Sequence, residues 1–331
     1  MQNQGMEPVD AAGRTTADRY RSFAEIDGLG QSAIYAEWAF GVADDPTMVD
    51  LIEQLPLAKR QVNLVFAAAR AAGAATGSYL EFRTWMLQHW AAVRRIALAR
   101  STQTNEAARC GVLLPLLASL PQPIALIEVG ASAGLCLFPD RYSYRYGDTE
   151  LHPVDGPSEV VISPKISGTV PIPQRMPQIV WRAGIDLNPL GVDDPVEMAW
   201  LEALIWPEHG ERRRRLRSAV RVAQQEPPRI VRSDALSGLA ALAAEAPPDA
   251  TLVIFHSAVL AYFPKPDRDA FVRLVTGLPG HWISNEGQTV TPGVQGRLAR
   301  QPADPALFLV AMDGNPLAFA GGHGQSLDWI D

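Results

Sequence analysis

The segment that decides the fold is Ile124-Ala-Leu-Ile-Glu128-Val-Gly130-Ala-Ser132-Ala-Gly134-Leu135. Its first half is an apolar run with the character of a buried strand, and the small residues that follow allow a sharp turn toward a helical start. A ligand can approach the backbone N–H groups of such a turn closely. The segment therefore predicts a strand that ends at a ligand-binding loop.

Downstream of this loop, short apolar runs alternate with helical stretches, as in a parallel sheet buried on both faces. The predicted strands are Ile124–Val129, Ile179–Gly184, Arg229–Arg232, Thr251–His256 and His281–Asn285. The predicted helices lie near Pro195–Ile205, Glu211–Gln225, Leu236–Glu245 and Pro266–Thr276. Asp313-Gly314 predicts the turn of an antiparallel hairpin near the C-terminus. The proline-rich segment 141–175 is predicted to be an insertion, with a β-hairpin around Tyr142–Tyr146.

Upstream of the loop, the chain is predicted to be all helical. In Ser78–Arg100 the apolar residues recur every three or four positions, and Ser78 with Glu81 forms a capping box. Weaker helical patterns cover Gln31–Val42, Thr47–Leu55 and Ala58–Ala71. We therefore predict three regions. They are a flexible tail over 1–17, a helical domain or lid over 18–120, and an α/β domain over 121–331.

The composition indicates a globular protein and excludes several classes. The 331 residues are 47% hydrophobic and 20% charged, with a net charge of −7, so neither disorder nor a general affinity for nucleic acid is predicted. Two cysteines exclude a disulfide scaffold and a four-cysteine zinc site. Pro115 and Pro121 interrupt the most apolar window, and the first residues lack a secretory pattern. We predict a cytoplasmic protein without membrane or metal binding.

The spacing of Glu128, Gly130, Ser132 and Gly134 resembles motif I of class I S-adenosylmethionine-dependent methyltransferases, E/D-x-G-x-G-x-G, with Ser132 replacing the middle glycine. The resemblance implies a Rossmann-like, mostly parallel sheet and S-adenosylmethionine as cofactor, with the loop beneath its methionine and ribose. Two alternatives stay open at this point. The loop also satisfies G-x-S-x-G, the nucleophile elbow of α/β-hydrolases, and a plain tight turn would show the same glycines.

Two further acids resemble methyltransferase positions. Asp186 ends the second predicted strand, as does the acid that binds the ribose hydroxyls in that family, although it lies 56 residues after Gly130 and Asp148 is closer in sequence. Asp234 and Ala235 follow the third predicted strand and resemble the pair that faces the adenine. Asp186 as a turn cap and Asp234 as a helix N-cap are the structural alternatives.

The remaining candidates follow the later strands or precede the first. Past the fourth strand, we expect His256 to act as a general base for methyl transfer to a small molecule, with Tyr262 and Glu286 orienting the acceptor. Asn105 and Arg109 are expected near the cofactor. A serine esterase or amidase using Ser132, with Asp313 and His323 as partners, and a non-catalytic binding protein are the alternative functions.

The polar cluster Thr102–Arg109 belongs to a wider resemblance. It is joined by F-P-D-R-Y-S-Y-R-Y after the loop, R-A-G-I-D-L-N-P, Leu201–Pro207 and F-H-S-A-V-L-A-Y-F. Together these segments resemble a bacterial family known only as a domain of unknown function, over nearly the whole chain. That resemblance implies no activity, so the methyltransferase expectation depends on the strand-end motifs.

Overall fold

The computed structural model describes residues 13–298, 300–302 and 304–330. These residues divide into two compact units. The first contains the chain up to Thr104 together with Pro195–Arg213, and the second contains Asn105–Asp194 and the chain from Arg214 onward. Residues 105–120 are predicted to belong to the N-terminal helical region, but their contacts place them in the second unit.

The α-helices fall close to the predicted ranges. They are α1 Thr16–Phe23, α2 Ala33–Ala43, α3 Pro46–Glu53, α4 Val62–Ala71, α5 Tyr79–Ala99, α6 Cys110–Ser119, α7 Pro195–Ala203, α8 Gly210–Gln225, α9 Ala235–Ala243 and α10 Lys265–Thr276. Of the tail predicted over 1–17, residues 1–12 lie outside the described residues. Thr16 already begins α1, because Thr15 and Asp18 form a capping box there. The helical N-terminal region is confirmed.

The first unit is held together by an aromatic core. Trp38 of α2 stacks on Phe82 of α5 with ring centroids 4.0 Å apart, and Phe66 of α4 meets both rings edge-on. α5 keeps the predicted register, because its buried side chains recur every three or four residues and Ser78 caps its start. Among the described residues, no helix has the length and apolar character of a membrane span.

The strands build a large sheet and a small one. They are β1 Ile124–Val129, β2 Ser143–Tyr146, β3 Thr149–Leu151, β4 Val161–Ile162, β5 Lys165–Ser167, β6 Ile179–Asp186, β7 Arg229–Arg232, β8 Thr251–Ser257, β9 His281–Gly287, β10 Phe308–Met312, β11 Asn315–Ala320 and β12 Ser326–Trp329. The large sheet has the order β7-β6-β1-β8-β9-β10-β11-β12-β5. Its first five strands are parallel, and β10, β11 and β12 pair antiparallel. A mixed α/β chain with a mostly parallel sheet is therefore confirmed.

The two faces of the central strands differ. Ala125, Ile127 and Val129 of β1 pack in one apolar core with residues of α9 and α10. Because successive side chains of a strand alternate, Glu128 points to the other face. The same alternation and the pairing of β8 with β1 and β9 place Ser257 and Asn285 on the face of Glu128.

The segment 141–175, predicted to be an insertion, forms four strands that belong to the second unit. β2, β3 and β4 form the small sheet, and β5 pairs parallel with β12 at the edge of the large sheet. The buried Tyr142, Tyr144 and Tyr146 donate their hydroxyls to the carbonyl oxygens of Leu135, Pro139 and Gly111 at 2.6, 2.6 and 2.8 Å. These bonds fix the small sheet to the chain that follows β1 and to α6.

Candidate functional site

The order of the parallel strands locates the candidate site. The chain adds β6 and β7 on one side of β1 and then β8 and β9 on the other, so the order reverses between β1 and β8. In open α/β sheets, ligands bind beyond the carboxyl ends of the strands at this reversal. The predicted residues on β1, β6, β8 and β9 all lie at that edge.

The glycine loop is tied firmly to β6. The N–H groups of Gly130 and Ser132 donate to the Ile185 carbonyl oxygen and to Asp186 Oδ2, at 2.8 and 2.7 Å. Asn105 holds the loop from the other side, since its Nδ2 donates to the Ala131 carbonyl oxygen at 3.2 Å and its Oδ1 accepts from Leu135 N at 2.9 Å. Asn105 is therefore a loop-positioning residue.

Backbone strain marks both strand ends at the reversal. Ser132, after β1, has φ 52°, and Ala258, after β8, has φ 58°. The left-handed region is costly for residues other than glycine and concentrates at functional sites. Gly130 also has positive φ, and a Cβ there would lie 2.4 Å from Val259 Cγ2, so the two loops are in direct contact.

The loop does not lead into an α-helix, which corrects one expectation. Leu135–Leu137 and Pro139–Arg141 are single 3₁₀ turns, and the chain then enters β2. Pro139 has no N–H to donate to the Leu135 carbonyl oxygen, as the residue four positions along an α-helix would, and that oxygen accepts the Tyr142 hydroxyl instead. A helix N-terminus is therefore absent from the loop, and any ligand there must be recognised by side chains and by the turn itself.

Asp186, and not Asp148, lies at the loop. Asp148 is exposed in the turn between β2 and β3. Asp186 Oδ2 and Oδ1 accept from Ser132 N and Asn188 N, both at 2.7 Å. Each carboxylate oxygen has room for another donor, but the main observed role of Asp186 is to cap the turn that follows β6.

Asp234 and Ala235 occupy the start of α9. Asp234 is exposed, and its Oδ1 accepts from Leu236 N at 2.8 Å. This is the geometry of a helix N-cap. Ala235 is buried in the core between the sheet and α9. The structure therefore favours the cap over an adenine contact for Asp234, and it offers no exposed side chain at Ala235.

An N-cap role for Asp234 gives a testable prediction. Asp234→Ala should lower the free energy of unfolding by about 1 kcal/mol, because Leu236 N loses its acceptor. Asp234→Asn should restore nearly all of that stability, since asparagine caps as well as aspartate does. Urea unfolding of the two variants measures the difference. An equal loss in both would show that the charge, and not the cap, is what matters.

His256 is not available as a general base, which corrects the predicted catalytic role. Its Nε2 accepts the indole N–H of Trp282 at 3.0 Å, because that indole can only donate. Its Nδ1 therefore carries the proton and donates to Glu286 Oε1 at 2.6 Å. The ring is fully buried and packs edge-on against Phe271 of α10. His256 is a neutral structural histidine with both nitrogens in use.

The two residues predicted to orient the acceptor differ in their surroundings. Tyr262 is 73% exposed, whereas His256 is fully buried. Glu286 is buried, and its Oε1 accepts from Val259 N and Leu260 N at 2.8 and 3.1 Å in addition to His256. Glu286 therefore holds the loop after β8, and Tyr262 lies outside this cluster.

Glu128 is 4% exposed in the middle of the site. Burial raises the pKa of Glu128 well above its usual value, the neighbouring Cys136 and Asp186 raise it further, and Arg109 partly opposes them. Cys136 is itself buried and donates to the Glu106 carbonyl oxygen at 3.3 Å. A buried carboxyl with a raised pKa at a strand end is a functional candidate.

Unpartnered oxygens concentrate at the same edge of the sheet. Among the described residues, five buried side-chain oxygens have no hydrogen-bond partner. They are Tyr20 Oη, Glu128 Oε2, Ser132 Oγ, Asn285 Oδ1 and Glu286 Oε2. The last four belong to the ends of β1 and β9 and the loop after β1, and Glu286 lies on the opposite face of the sheet from Glu128 and Asn285. Buried polar atoms are normally paired, so a cluster of unpaired acceptors indicates a place for a ligand that donates.

Asn285 and Ser257 are the members of the site that the sequence analysis did not assign. Asn285 is fully buried, and its Nδ2 donates to Ser257 Oγ at 2.9 Å, which leaves Oδ1 as the free acceptor. The signal for both was their position at the end of a predicted parallel strand. Only the register of β8 with β9 places them side by side.

The geometry argues against the hydrolase alternative. A serine nucleophile needs a base within hydrogen-bond reach, but Ser132 Oγ has no partner among the described residues. Asp313 accepts from Trp282 N and from His281 Nδ1, at the start of β9. β9 has seven residues, so Asp313 lies about 20 Å from the edge that carries Ser132. Asp313 and Ser132 therefore cannot share a triad.

The described residues contain no group of three or more His, Cys, Asp or Glu side chains arranged to hold a metal ion. The acceptors at the strand ends belong instead to two carboxyl groups, one amide and one hydroxyl. Such a set is suited to N–H and O–H donors on an organic ligand.

Comparison with known proteins identifies the family. Residues 17–329 match the family described as "Uncharacterized protein conserved in bacteria (DUF2332)", and the chain belongs to it. This confirms the resemblance to a bacterial family of unknown function. No curated protein and no solved structure matches the chain. The comparisons therefore add no activity, and nothing in them indicates a methyltransferase.

Proposed function

We propose that this member of the DUF2332 family binds S-adenosylmethionine at the carboxyl ends of β1, β8 and β9 and transfers its methyl group to a small molecule. The observation that carries the proposal is that Glu128, Ser132 and Asn285 each have a buried, unpartnered oxygen at the carboxyl edge of the sheet where the strand order reverses. The motif around Gly130 and the contact of Asp186 with that loop give further support.

The residues present fit such a cofactor by their chemistry. Its ammonium and ribose hydroxyls are donors, and the unpaired oxygens of Glu128, Ser132 and Asn285 are acceptors. The strained backbone at Ser132 and the positive φ of Gly130 bring main-chain atoms close to where a ligand would lie. The carboxylate of Asp186 keeps the loop in this conformation.

When bound, S-adenosylmethionine supplies a methyl group already activated by its sulfonium. The protein then has to hold the acceptor in line with that methyl group and to exclude water. An acceptor that must lose a proton needs a base, and His256 is excluded because Trp282 uses its lone pair. Glu286 Oε2, a buried oxygen with no partner, takes over that role in our proposal.

Calorimetric titration of the full chain with S-adenosylmethionine and S-adenosylhomocysteine tests the proposal. We expect saturable binding of both at a one-to-one ratio. Transfer is then measured with methyl-labelled cofactor and pools of small-molecule acceptors. Binding without transfer to any pool would favour the non-catalytic alternative, and no binding of either compound at millimolar concentration would overturn the proposal.

A further inference from the structure

Arg109 is a buried cation without a carboxylate partner. It is 5% exposed, and its Nη1 and Nε donate to the carbonyl oxygens of Ser257 and Gly322 at 2.9 and 3.0 Å. Among the described residues, no ion pair joins its guanidinium. The guanidinium has five N–H donors, so three remain for another acceptor. Arg182, a partly buried arginine of this unit, instead has both Nη atoms on the Asp140 carboxylate.

The position of Arg109 relates it to Glu128. Arg109 binds the main chain of Ser257, whose side chain accepts from Asn285. Ser257 lies on the strand beside β1 and on the same sheet face as Glu128, since Val129 is paired with His256. Strand spacing puts the Cα atoms of Ser257 and Glu128 about 8 Å apart. The positive charge of Arg109 also lowers the pKa of Glu128, against the larger effect of burial.

Each of these groups alone is unfavourable in a buried site. The Arg109 guanidinium has carbonyl partners but no counter-charge, and the Glu128 oxygen has lost hydration without a replacement. Their proximity does not produce an ion pair, since Glu128 Oε2 has no partner. A ligand that carries a cation and an anion on neighbouring atoms would pair both groups at once.

We infer that Arg109, Glu128 and Asn285 form a subsite for the zwitterionic head group of an α-amino acid. The guanidinium of Arg109 binds the carboxylate in forked geometry. Glu128 and Asn285 Oδ1 accept from the ammonium. The inference rests on the proposed function, because the head group in question is then the methionine part of the cofactor, but the subsite would recognise any ligand that carries it.

The test compares adenosine thioethers that differ in the head group. S-adenosylhomocysteine has both charges, its decarboxylated analogue keeps only the ammonium, and 5′-methylthioadenosine lacks both. For the full-length wild-type chain, we expect S-adenosylhomocysteine to bind about ten- to a hundredfold more tightly than either of the other two. Equal affinities for S-adenosylhomocysteine and the decarboxylated compound would overturn the inference.

Variants of Arg109 assign the preference to this residue. Arg109→Met should abolish it and leave the affinity for 5′-methylthioadenosine unchanged. Arg109→Lys keeps the charge without the fork and should retain part of the preference, which keeps the test valid if the methionine variant folds poorly. Arg182→Met, which removes a partly buried arginine that already has a carboxylate partner, is the matched control and should keep the full preference. An unchanged preference in both Arg109 variants would contradict the inference.

A third comparison separates this inference from the proposed function. Thermal melting is measured with L-methionine and with L-methioninol, which lacks the carboxylate. Stabilisation by L-methionine alone, without binding of any nucleoside compound, would support the subsite and overturn methyl transfer. Binding of the nucleoside compounds without discrimination by head group would overturn the subsite and leave the proposed cofactor binding in place. If none of the compounds binds, both are wrong.

Discussion

Glu128→Gln is expected to weaken the binding of S-adenosylhomocysteine by about ten- to a hundredfold, which corresponds to roughly 1–3 kcal/mol for a lost charge-assisted hydrogen bond. Glutamine has nearly the same shape and keeps one acceptor oxygen. The variant therefore removes the charge with little change in packing. Calorimetric titration at pH 7 measures the change in affinity.

The same substitution is expected to stabilise the ligand-free protein at neutral and alkaline pH. The pKa of Glu128 is raised in the folded state, so the folded protein holds this proton more tightly than the unfolded chain does. Between the unfolded pKa, about 4.3, and the raised folded value, stability falls as the pH rises. Glutamine does not ionise, so its melting temperature should exceed that of the wild type increasingly as the pH rises through this window.

The raised pKa also predicts how binding depends on pH. The ammonium of the ligand pairs best with the carboxylate form of Glu128, so binding must release the proton that the free site holds. Affinity should therefore increase with pH and level off above the pKa of the free site. Glu128→Gln should lose this slope. A wild-type affinity that is flat from pH 5 to pH 9 would show that Glu128 does not pair with a cation.

Ser132→Gly is the control for these measurements. The substitution places glycine at a position with φ 52°, which glycine adopts without strain, and it removes one neutral hydroxyl. Its melting temperature should stay the same or rise, and its affinity should change by less than about tenfold, since a neutral hydrogen bond contributes about 0.5–1.5 kcal/mol. If Ser132→Gly lost as much affinity as Glu128→Gln, the hydroxyl would have to be a principal ligand contact.

Local sequence patterns predicted most of the elements in this protein. Strand β1, the capped helix α5 and the hairpin at Asp313-Gly314 follow from periodicity, caps and turn residues, which act over a few positions. The edge of the sheet that carries the candidate site could also be predicted, because the carboxyl ends of parallel strands lie together at one edge. Glu128, Asp186 and Glu286 lie near the carboxyl ends of β1, β6 and β9.

The roles of individual side chains could not be predicted in the same way. The lone pair of His256 is used by Trp282, which lies 26 residues further along the chain, and no local pattern reveals that bond. After Gly134 the chain forms 3₁₀ turns, and the Leu135 carbonyl oxygen accepts the hydroxyl of Tyr142, seven residues further along the chain. The pairing of Asn285 with Ser257 depends on the register between β8 and β9. Long-range contacts decide which polar groups are used and which are left for a ligand.

Glu286→Ala is expected to have the largest effect on folding of any substitution at the site. Glu286 Oε1 accepts from His256 Nδ1, Val259 N and Leu260 N, all buried or partly buried donors. Alanine leaves these donors without an acceptor and opens a cavity beneath the loop after β8. Breaking a buried network from one side costs about 3–5 kcal/mol. Urea unfolding measures this loss.

Glu286→Gln separates the structural role of this residue from its chemical role. Glutamine can keep its carbonyl oxygen at the position of Oε1, where the three donors converge, and place its amide at the position of Oε2. The loop and Ala258 then keep their conformation. We expect most of the stability lost in the alanine variant to be retained, and S-adenosylhomocysteine to bind within a few-fold of the wild type.

The catalytic consequence distinguishes the two oxygens of Glu286. If Oε2 accepts a proton from the methyl acceptor, the glutamine variant should bind both ligands but transfer the methyl group at least about a hundredfold more slowly, the range typical of losing a general base. Full activity in Glu286→Gln would restrict Glu286 to holding the loop through Oε1, and the acceptor would then have to react without a base from β9.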